Sequence, residues 1–284
     1  MPNSPQEFHI TIEATDTGEK VSQLLAKGSG LSLQQIKQAM HKGAVWLENS
    51  QGIRRIRRAD SKILDGNILH FYYAPEVLAT EPPTPQLVAD EYDYSLWYKP
   101  TGMLCQGSKW ADHFTINRWI ESHQPFVHNA QRNAFIVHRL DKAACGLILI
   151  AHTKKATQKL AALFEHKKIR KHYRVIVDGD FGDQEQIIEA DIEGKSAHTM
   201  AKRIAFDDDQ QRSLLDVTIK TGRKHQIRIH MSQLGHPVVG DRLHANADKN
   251  APDLQLQSFS LSFTCPISDE PKHYQCPKAL WLAL

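Results

Sequence analysis

A chain of 284 residues has room for roughly two domains of ordinary size. Its content of 41% hydrophobic and 24% charged residues, at a mean hydropathy of -0.46, fits a folded globular protein and excludes a disordered, collagenous or membrane-spanning chain. The formal net charge of +3 names no partner by itself.

The longest apolar runs, such as Leu147 to Ala151, are too short to cross a bilayer, and no membrane partner is expected. Met1 to His9 lacks a cationic start followed by an apolar stretch, so no export signal is expected and the reading is cytoplasmic. Cys105, Cys145, Cys265 and Cys276 form no CxxC pair and read as free thiols. Cys265, His273 and Cys276 supply only three donors at an unfamiliar spacing, so no metal is expected.

In chain order, Glu19 to Ala26 reads as a short helix with Val21, Leu24 and Leu25 inward. Leu31-Ser32-Leu33 opens a second helix. Ser32 and Gln35 have capping-box spacing, Leu33, Ile36 and Met40 share a face, and Gly43 supplies the stop. Ala44 to Leu47 and Ile68 to Tyr73 read as strands, completing a small ααβ-type module. Lys37, His41 and Lys42 leave the second helix on its polar side, and Arg54, Arg55, Arg57 and Arg58 cluster in the loop that follows. Pro75, Pro82, Pro83 and Pro85 favour extended, nonhelical backbone and mark a linker.

Beyond the linker the charges segregate. Residues 138–175 hold ten Lys or Arg against Asp141 and Glu165, an excess of +8. Residues 176–216 carry an excess of -7, and 217–244 return to +4. Two basic blocks around an acidic stretch fit either a polyanion site or solvated helix faces. Within the first block, Asp141 lies between Arg139 and Lys142, immediately before the apolar strand Gly146 to Ile150. A carboxylate at the mouth of a buried strand is driven towards its neutral form unless a cation compensates, so a partner is required. A structural ion pair and a functional acid both satisfy that requirement. Lys154 to Lys167 is an amphipathic helix with Ala156, Leu160, Leu163 and Phe164 inward. Tyr173, Val175 and Val177 then alternate as a strand, and Tyr173 is either a core ring or a stacking surface for a nucleobase. In the last basic block Ile227, His230, Met231 and Leu234 recur at helical spacing before Gly235, with Arg228 near the helix start, suited to a carboxylate or phosphate.

The strings HRLDKAACGLILIAHT, KIRKHYRVIVDG and TGRKHQIRIHMSQLGHPVVGDRLHA, preceded by SLWYKPTGMLCQG, resemble the RluA family of RNA pseudouridine synthases. The stretch from Glu19 to LDGNILHFY resembles the S4 RNA-binding module. The two resemblances imply an α+β fold: a pseudouridine synthase catalytic domain over 93–284, with a mixed, largely antiparallel sheet and flanking helices, a linker over 75–92, and a small S4-like α+β domain over 1–74. They imply isomerisation of uridine in structured RNA, ribosomal or transfer, without a cofactor; a monomer is expected. Asp141 is then the catalytic aspartate, Arg228 its ion-pair partner and Tyr173 the ring stacked on the target base. Arg139 fills the gap left by the everted nucleotide, and His138, Lys99, Lys171, Arg223, His225 and Gln226 join it on the substrate side. Lys37, Lys42, Arg54, Arg55, Arg57 and Arg58 are the RNA contacts of the S4-like module. Asp141 either attacks the anomeric carbon or removes the neighbouring ribose proton.

One departure from the family pattern is Ala143-Ala144-Cys145-Gly146, where the pattern has small-Thr-Ser-Gly. That departure and the modest net charge are the support for a second reading, a noncatalytic RNA-binding or ribosome-assembly factor. A glycoside hydrolase needs two acids flanking one bond, and the expected site offers only Asp141.

Overall fold

The computed structural model describes residues 4–126, 131–245 and 251–284. Their contacts separate into two units: Met1–Pro82 with Gln106–Trp119, and Pro83–Cys105 with Ile120–Leu284.

The first unit runs β1 (Gln6–Thr11), α1 (Val21–Ser29), α2 (Leu33–His41), β2 (Val45–Asn49), β3 (Gly52–Arg55), β4 (Ile68–Tyr73) and α3 (Pro75–Ala79). The strands form an antiparallel sheet in the order β1-β4-β2-β3. The expected capping box is present: the Ser32 hydroxyl accepts from the Gln35 N–H, and the Gln35 side chain accepts from the Ser32 N–H. Gly43, at φ +87°, closes the helix as its N–H reaches Met40 O and that of Ala44 reaches Ala39 O. Ile36, Ala39 and Met40 enter a core with Val21, Leu25, Leu47 and Phe71. Leu33 does not, being 46% exposed, because a residue in the first turn lies beyond the stripe that the later residues bury.

Two further expectations are corrected here. Pro75 starts α3 instead of preventing a helix, since the first helical position needs no N–H donor. Arg54 and Arg55 belong to β3 rather than to a loop. Residues 106–119, from within the span 93–284, pack with this first unit. Asp112 receives Arg55 at 2.7 Å and Arg57 at 2.5 Å, and its N–H donates to Lys42 O. Glycine at 43 and 107 leaves space for that carboxylate, because a Cβ at either position would lie 2.4 Å from an Asp112 side-chain atom.

The second unit is built on β5 (Gln86–Asp90), β6 (Tyr94–Lys99), β7 (Phe135–Ile136), β8 (Cys145–Ala151), β9 (Arg170–Asp178), β10 (Gln186–Ile188), β11 (Thr199–Asp207), β12 (Arg212–Ile219), β13 (Leu256–Thr264) and β14 (Pro271–Gln275). The helices of this part of the chain are α4 (Ile116–His123), α5 (Lys154–Glu165) and α6 (Gln226–Gln233). The sheet order is β10-β11-β12-β9-β13-β8-β6-β5, with β14 beside β13 and β7 beside β8. Its pairs are antiparallel except β8 with β13, which is the mixed, largely antiparallel sheet expected. β8 is apolar at every position because both its faces are covered, and all seven residues are buried. Thr153 caps α5 by accepting the Ala156 N–H. α6 ends in a Schellman motif at Gly235, where the N–H groups of Gly235 and His236 satisfy Ser232 O and Met231 O.

Candidate active site

Asp141 lies in the loop that leads into β8, and the segment after β6 fixes that loop. Lys99 is fully buried, an unusual place for a lysine, and its ammonium is surrounded by carbonyls. It donates to Ala144 O at 2.6 Å and to Pro100 O and Met103 O at 3.0 Å each, with Lys142 O at 3.5 Å. The Gly102 N–H also reaches Lys142 O, and Cys105 exchanges contacts with Leu140, its thiol donating to Leu140 O and its sulfur accepting the Leu140 N–H. Backbone groups on both sides of Asp141 are thereby anchored. Burial pulls the Lys99 pKa down to about 8. Its work is structural, so the expected substrate contact gives way to an anchoring role.

Gly146 sets the loop beside the ring of Tyr173. In β13, Ser258 pairs with Gly146 on one side and with Tyr173 on the other. A Cβ at Gly146 would lie 2.3 Å from Ser258 O and 2.6 Å from its N, and φ is +108°, so the approach requires glycine. Around it, Ala144 packs in the same core cluster as Tyr173, and the Cys145 thiol donates to Leu256 O at 3.8 Å. The departure from hydroxyl residues is thus absorbed by packing and one sulfur contact, while Asp141 keeps its anchors.

Arg228, on the first turn of α6, brings the cation. Its Nη1 donates to Asp141 Oδ2 at 3.2 Å. The bidentate face of the guanidinium goes elsewhere: Nε and Nη2 donate to Asp241 at 2.9 and 2.6 Å. Asp241 is 1% exposed and also accepts the N–H groups of Leu243 and His244. Burial alone would lower the Arg228 pKa, but hydrogen bonds and charge from Asp241 and Asp141 raise it overall. Burial would likewise raise the Asp241 carboxyl, yet Arg228 and the two backbone donors hold it below the usual range. Reading of the sequence missed Asp241; its position at the end of the string GHPVVGD was the available signal. Asp241 is a second acid, but it is buried behind the guanidinium and does not flank a bond as a glycosidase pair must.

Tyr173 is 9% exposed in the core cluster with Ile227 and Met231, and its hydroxyl pKa is raised by burial and by the charge of Asp141. Arg139 is exposed at the head of the Asp141 loop. Lys171 lies two residues before Tyr173 on β9, half-buried, with its pKa lowered by burial and by Lys167. Arg223 is half-buried and donates from Nε to Ser196 O. Two predicted substrate contacts are occupied within the fold. His138 accepts the Leu149 N–H and stacks on Phe164 at 4.3 Å, and burial takes its pKa down to about 3. Gln226 is 3% exposed; it accepts from Thr221 Oγ1 and the Arg223 N–H, and donates to His198 O and Thr199 Oγ1. Those bonds tie α6 to β11, which leaves the amide nothing to offer a ligand. His225 remains at the site, its Nε2 3.9 Å from Asp141 Oδ1.

In the first unit Lys37, Arg54 and Arg58 are exposed. Arg55 and Arg57 are instead paired with Asp112, Arg55 also lies 4.2 Å over the Trp46 ring, and Lys42 donates to Leu78 O. Among the described residues there is no group of three side chains placed to hold a metal ion. The Cys276 thiol donates to Ser258 O, and His273 bonds Ser262.

A family model described as RNA pseudouridylate synthase matches residues 93–233. The dual-specificity RNA pseudouridine synthase RluA of Yersinia pestis is 34% identical over 167 residues, 53% of this chain and 81% of that protein. The protein of the same description from Pasteurella multocida is 30% identical over 220 residues, 70% of this chain and 97% of that one. The solved structure of human RNA pseudouridylate synthase domain containing 1 superposes with a TM-score of 0.58 at 20% identity, covering 71% of this chain and 88% of that one, and shows the fold. With the strings around Asp141, Tyr173 and Arg228 inside the matched span, and with those relatives covered over 81% and 97% of their lengths, the chain belongs to the RluA family of RNA pseudouridine synthases, isomerases of uridine in RNA.

Proposed function

We propose that this enzyme isomerises specific uridines in ribosomal or transfer RNA, with Asp141 as the catalytic carboxylate. The observation that carries the reading is the convergence on Asp141 of Arg228, a cation from 87 positions further along the chain, at an accessible carboxylate that is 27% exposed. In the reaction the bond from N1 to the ribose breaks, the uracil turns, and C5 joins the same carbon, with neither redox change nor hydrolysis. The target atoms are out of reach in a stacked helix, so the nucleotide is everted at a cost of a few kcal/mol. Tyr173 beneath the base and Arg139 in the vacated stack offset that cost. Arg228 compensates the Asp141 charge while Asp241 keeps the guanidinium aimed. Lys171 and Arg223 hold phosphates at the rim, which makes affinity fall steeply with salt.

In this reading the first unit is an S4-like RNA-binding module that grips RNA through Lys37, Arg54 and Arg58, with Arg55, Arg57 and Lys42 engaged internally. The catalytic domain corresponds to 93–284 apart from 106–119, which pack with the first unit, and the protein acts in the cytoplasm as a monomer without a cofactor. The test is Asp141→Asn, assayed by carbodiimide labelling of RNA. Conversion is lost and RNA binding retained; a normal yield of pseudouridine from the variant refutes the assignment. Mapping pseudouridines in ribosomal and transfer RNA from cells lacking the protein identifies the target, and an unchanged map refutes the substrate.

A further inference from the structure

Resting on that reading, we infer that His225 and His244 form a proton relay serving Asp141. The two imidazoles are hydrogen-bonded, His225 Nδ1 to His244 Nε2, at 3.0 Å, with the rings edge-on at 72°. The far nitrogen of His225, Nε2, faces Asp141 Oδ1 at 3.9 Å, while Arg228 holds the other oxygen, Oδ2. The contacts close into a ring: Asp141 to Arg228, Arg228 to Asp241, Asp241 to the His244 N–H, His244 to His225, and back to Asp141. His225 is held in the left-handed region, at φ +55°, directly before α6. A non-glycine residue in that conformation is strained, and such strain persists where the surroundings enforce it, commonly at functional sites. That turn aims the imidazole.

The isomerisation exchanges a C5–H bond for an N1–H bond, so one proton must leave carbon as one is delivered to nitrogen. The proton from C5 passes to Asp141, and from its carboxyl to His225 Nε2. His225 Nδ1–H moves to His244 Nε2, and the Nδ1 proton of His244 leaves to water, which supplies the proton for N1. The proton count balances and no electron changes hands; Asp141 returns to its starting form, and the two imidazoles, left in their opposite tautomers, are reset by proton exchange with water before the next turnover. The 3.9 Å separation fits two acceptors facing one another until a proton enters between them, since a donor there would close to about 2.8 Å. The charged and titratable groups facing the pair are Asp141, Arg228, Lys224 and, through the His244 backbone, Asp241. Burial lowers the His225 pKa; Asp141 opposes this, whereas Arg228, His244 and Lys224 lower it further. His225 is therefore neutral and able to accept near pH 7, and the relay fails as pH falls and His225 takes up a proton.

His225→Asn keeps a residue that tolerates the left-handed conformation and removes the base. His244→Gln keeps an acceptor, the amide oxygen, for the His225 Nδ1–H and removes the second ring. Single-turnover conversion of a substrate RNA tritiated at uridine C5, followed by tritium release and carbodiimide labelling across pH 5–9, reads both steps. In His225→Asn the turnover falls by ~10²-fold, the scale of general acid–base assistance, with RNA affinity unchanged and the acid limb of the profile gone. His244→Gln falls by a smaller factor, and its acid limb moves. Turnover within twofold of wild type and a superimposable pH profile in both variants overturn the relay while leaving the assignment of Asp141 intact. A wild-type enzyme that converts no uridine in any RNA overturns that assignment and takes the relay with it.

Discussion

Asp241→Asn separates holding the guanidinium from using it. The carboxylate accepts four hydrogen bonds: three at Oδ1, from Arg228 Nη2 and the N–H groups of Leu243 and His244, and one at Oδ2, from Arg228 Nε. An asparagine oxygen can take over the Oδ1 set, but its NH₂ then confronts Arg228 Nε–H, donor against donor. Removing one partner of a buried ion pair costs about 3–5 kcal/mol, and Asp141 still offers a countercharge, so the expected loss is near the lower end, about 3 kcal/mol. That moves a urea midpoint by roughly 1 M. A guanidinium displaced by roughly 1 Å also costs ~10²-fold in turnover. Asp141→Asn behaves differently: its carboxylate is 27% exposed with one bond at 3.2 Å, and Arg228 keeps Asp241 as countercharge, so stability changes by at most about 1 kcal/mol while conversion disappears. The sign of the pH effect follows from the depressed Asp241 pKa. Its contribution is fully present above the unfolded carboxyl range, about pH 4, and is lost as pH falls through the lower folded value. Asp241→Asn therefore flattens the acid side of the stability curve. Urea unfolding by circular dichroism at several pH values, with single-turnover conversion alongside, provides the readout. A variant with the wild-type midpoint and wild-type turnover refutes the clamp.

Lys99→Met leaves three close buried carbonyls without their donor; at about 1 kcal/mol each the protein loses ~3 kcal/mol, and turnover drops because the Asp141 loop is released, measurable by the same unfolding and conversion assays. Gly146→Ala drives a methyl into the Ser258 backbone, so β8 and β13 cannot pair; a soluble protein with a melting temperature within a few degrees of wild type contradicts the packing argument. His138 is neutral in the fold down to about pH 3, whereas in the unfolded chain it takes up a proton below about 6.5. Stability therefore falls as pH drops from 6.5 towards 3, by about 2 kcal/mol between pH 7 and pH 5. His138→Gln, whose oxygen can still accept the Leu149 N–H, removes that slope, and an unchanged pH dependence of the urea midpoint counts against the buried neutral imidazole.

Local signals carried a good part of this protein. Ser32, Gln35 and Gly43 delimit α2 through bonds between near neighbours, and the apolar run into Ala151 marks a strand covered on both faces; spacing along one segment suffices for both. The strings around Asp141, Tyr173 and Arg228 mark the site because the chemistry constrains residue types in short stretches. What depends on segments far apart was settled only by folding. Arg228 turns its bidentate face to Asp241 instead of Asp141, since the buried carboxylate lies alongside Nε and Nη2. Lys99 becomes an anchor because the carbonyls of the loop over 140–144 arrive around it. Arg55 and Arg57 are engaged within the first unit because residues 106–119 bring Asp112 to them. His138, Gln226 and His225 are polar residues in two of those strings, yet the first two bond to backbone and core while the third faces Asp141. A side chain's type and its near neighbours are written along the chain. Which of its possible partners it meets is decided by strand register and helix docking, which bring most buried donors and charges to a partner together.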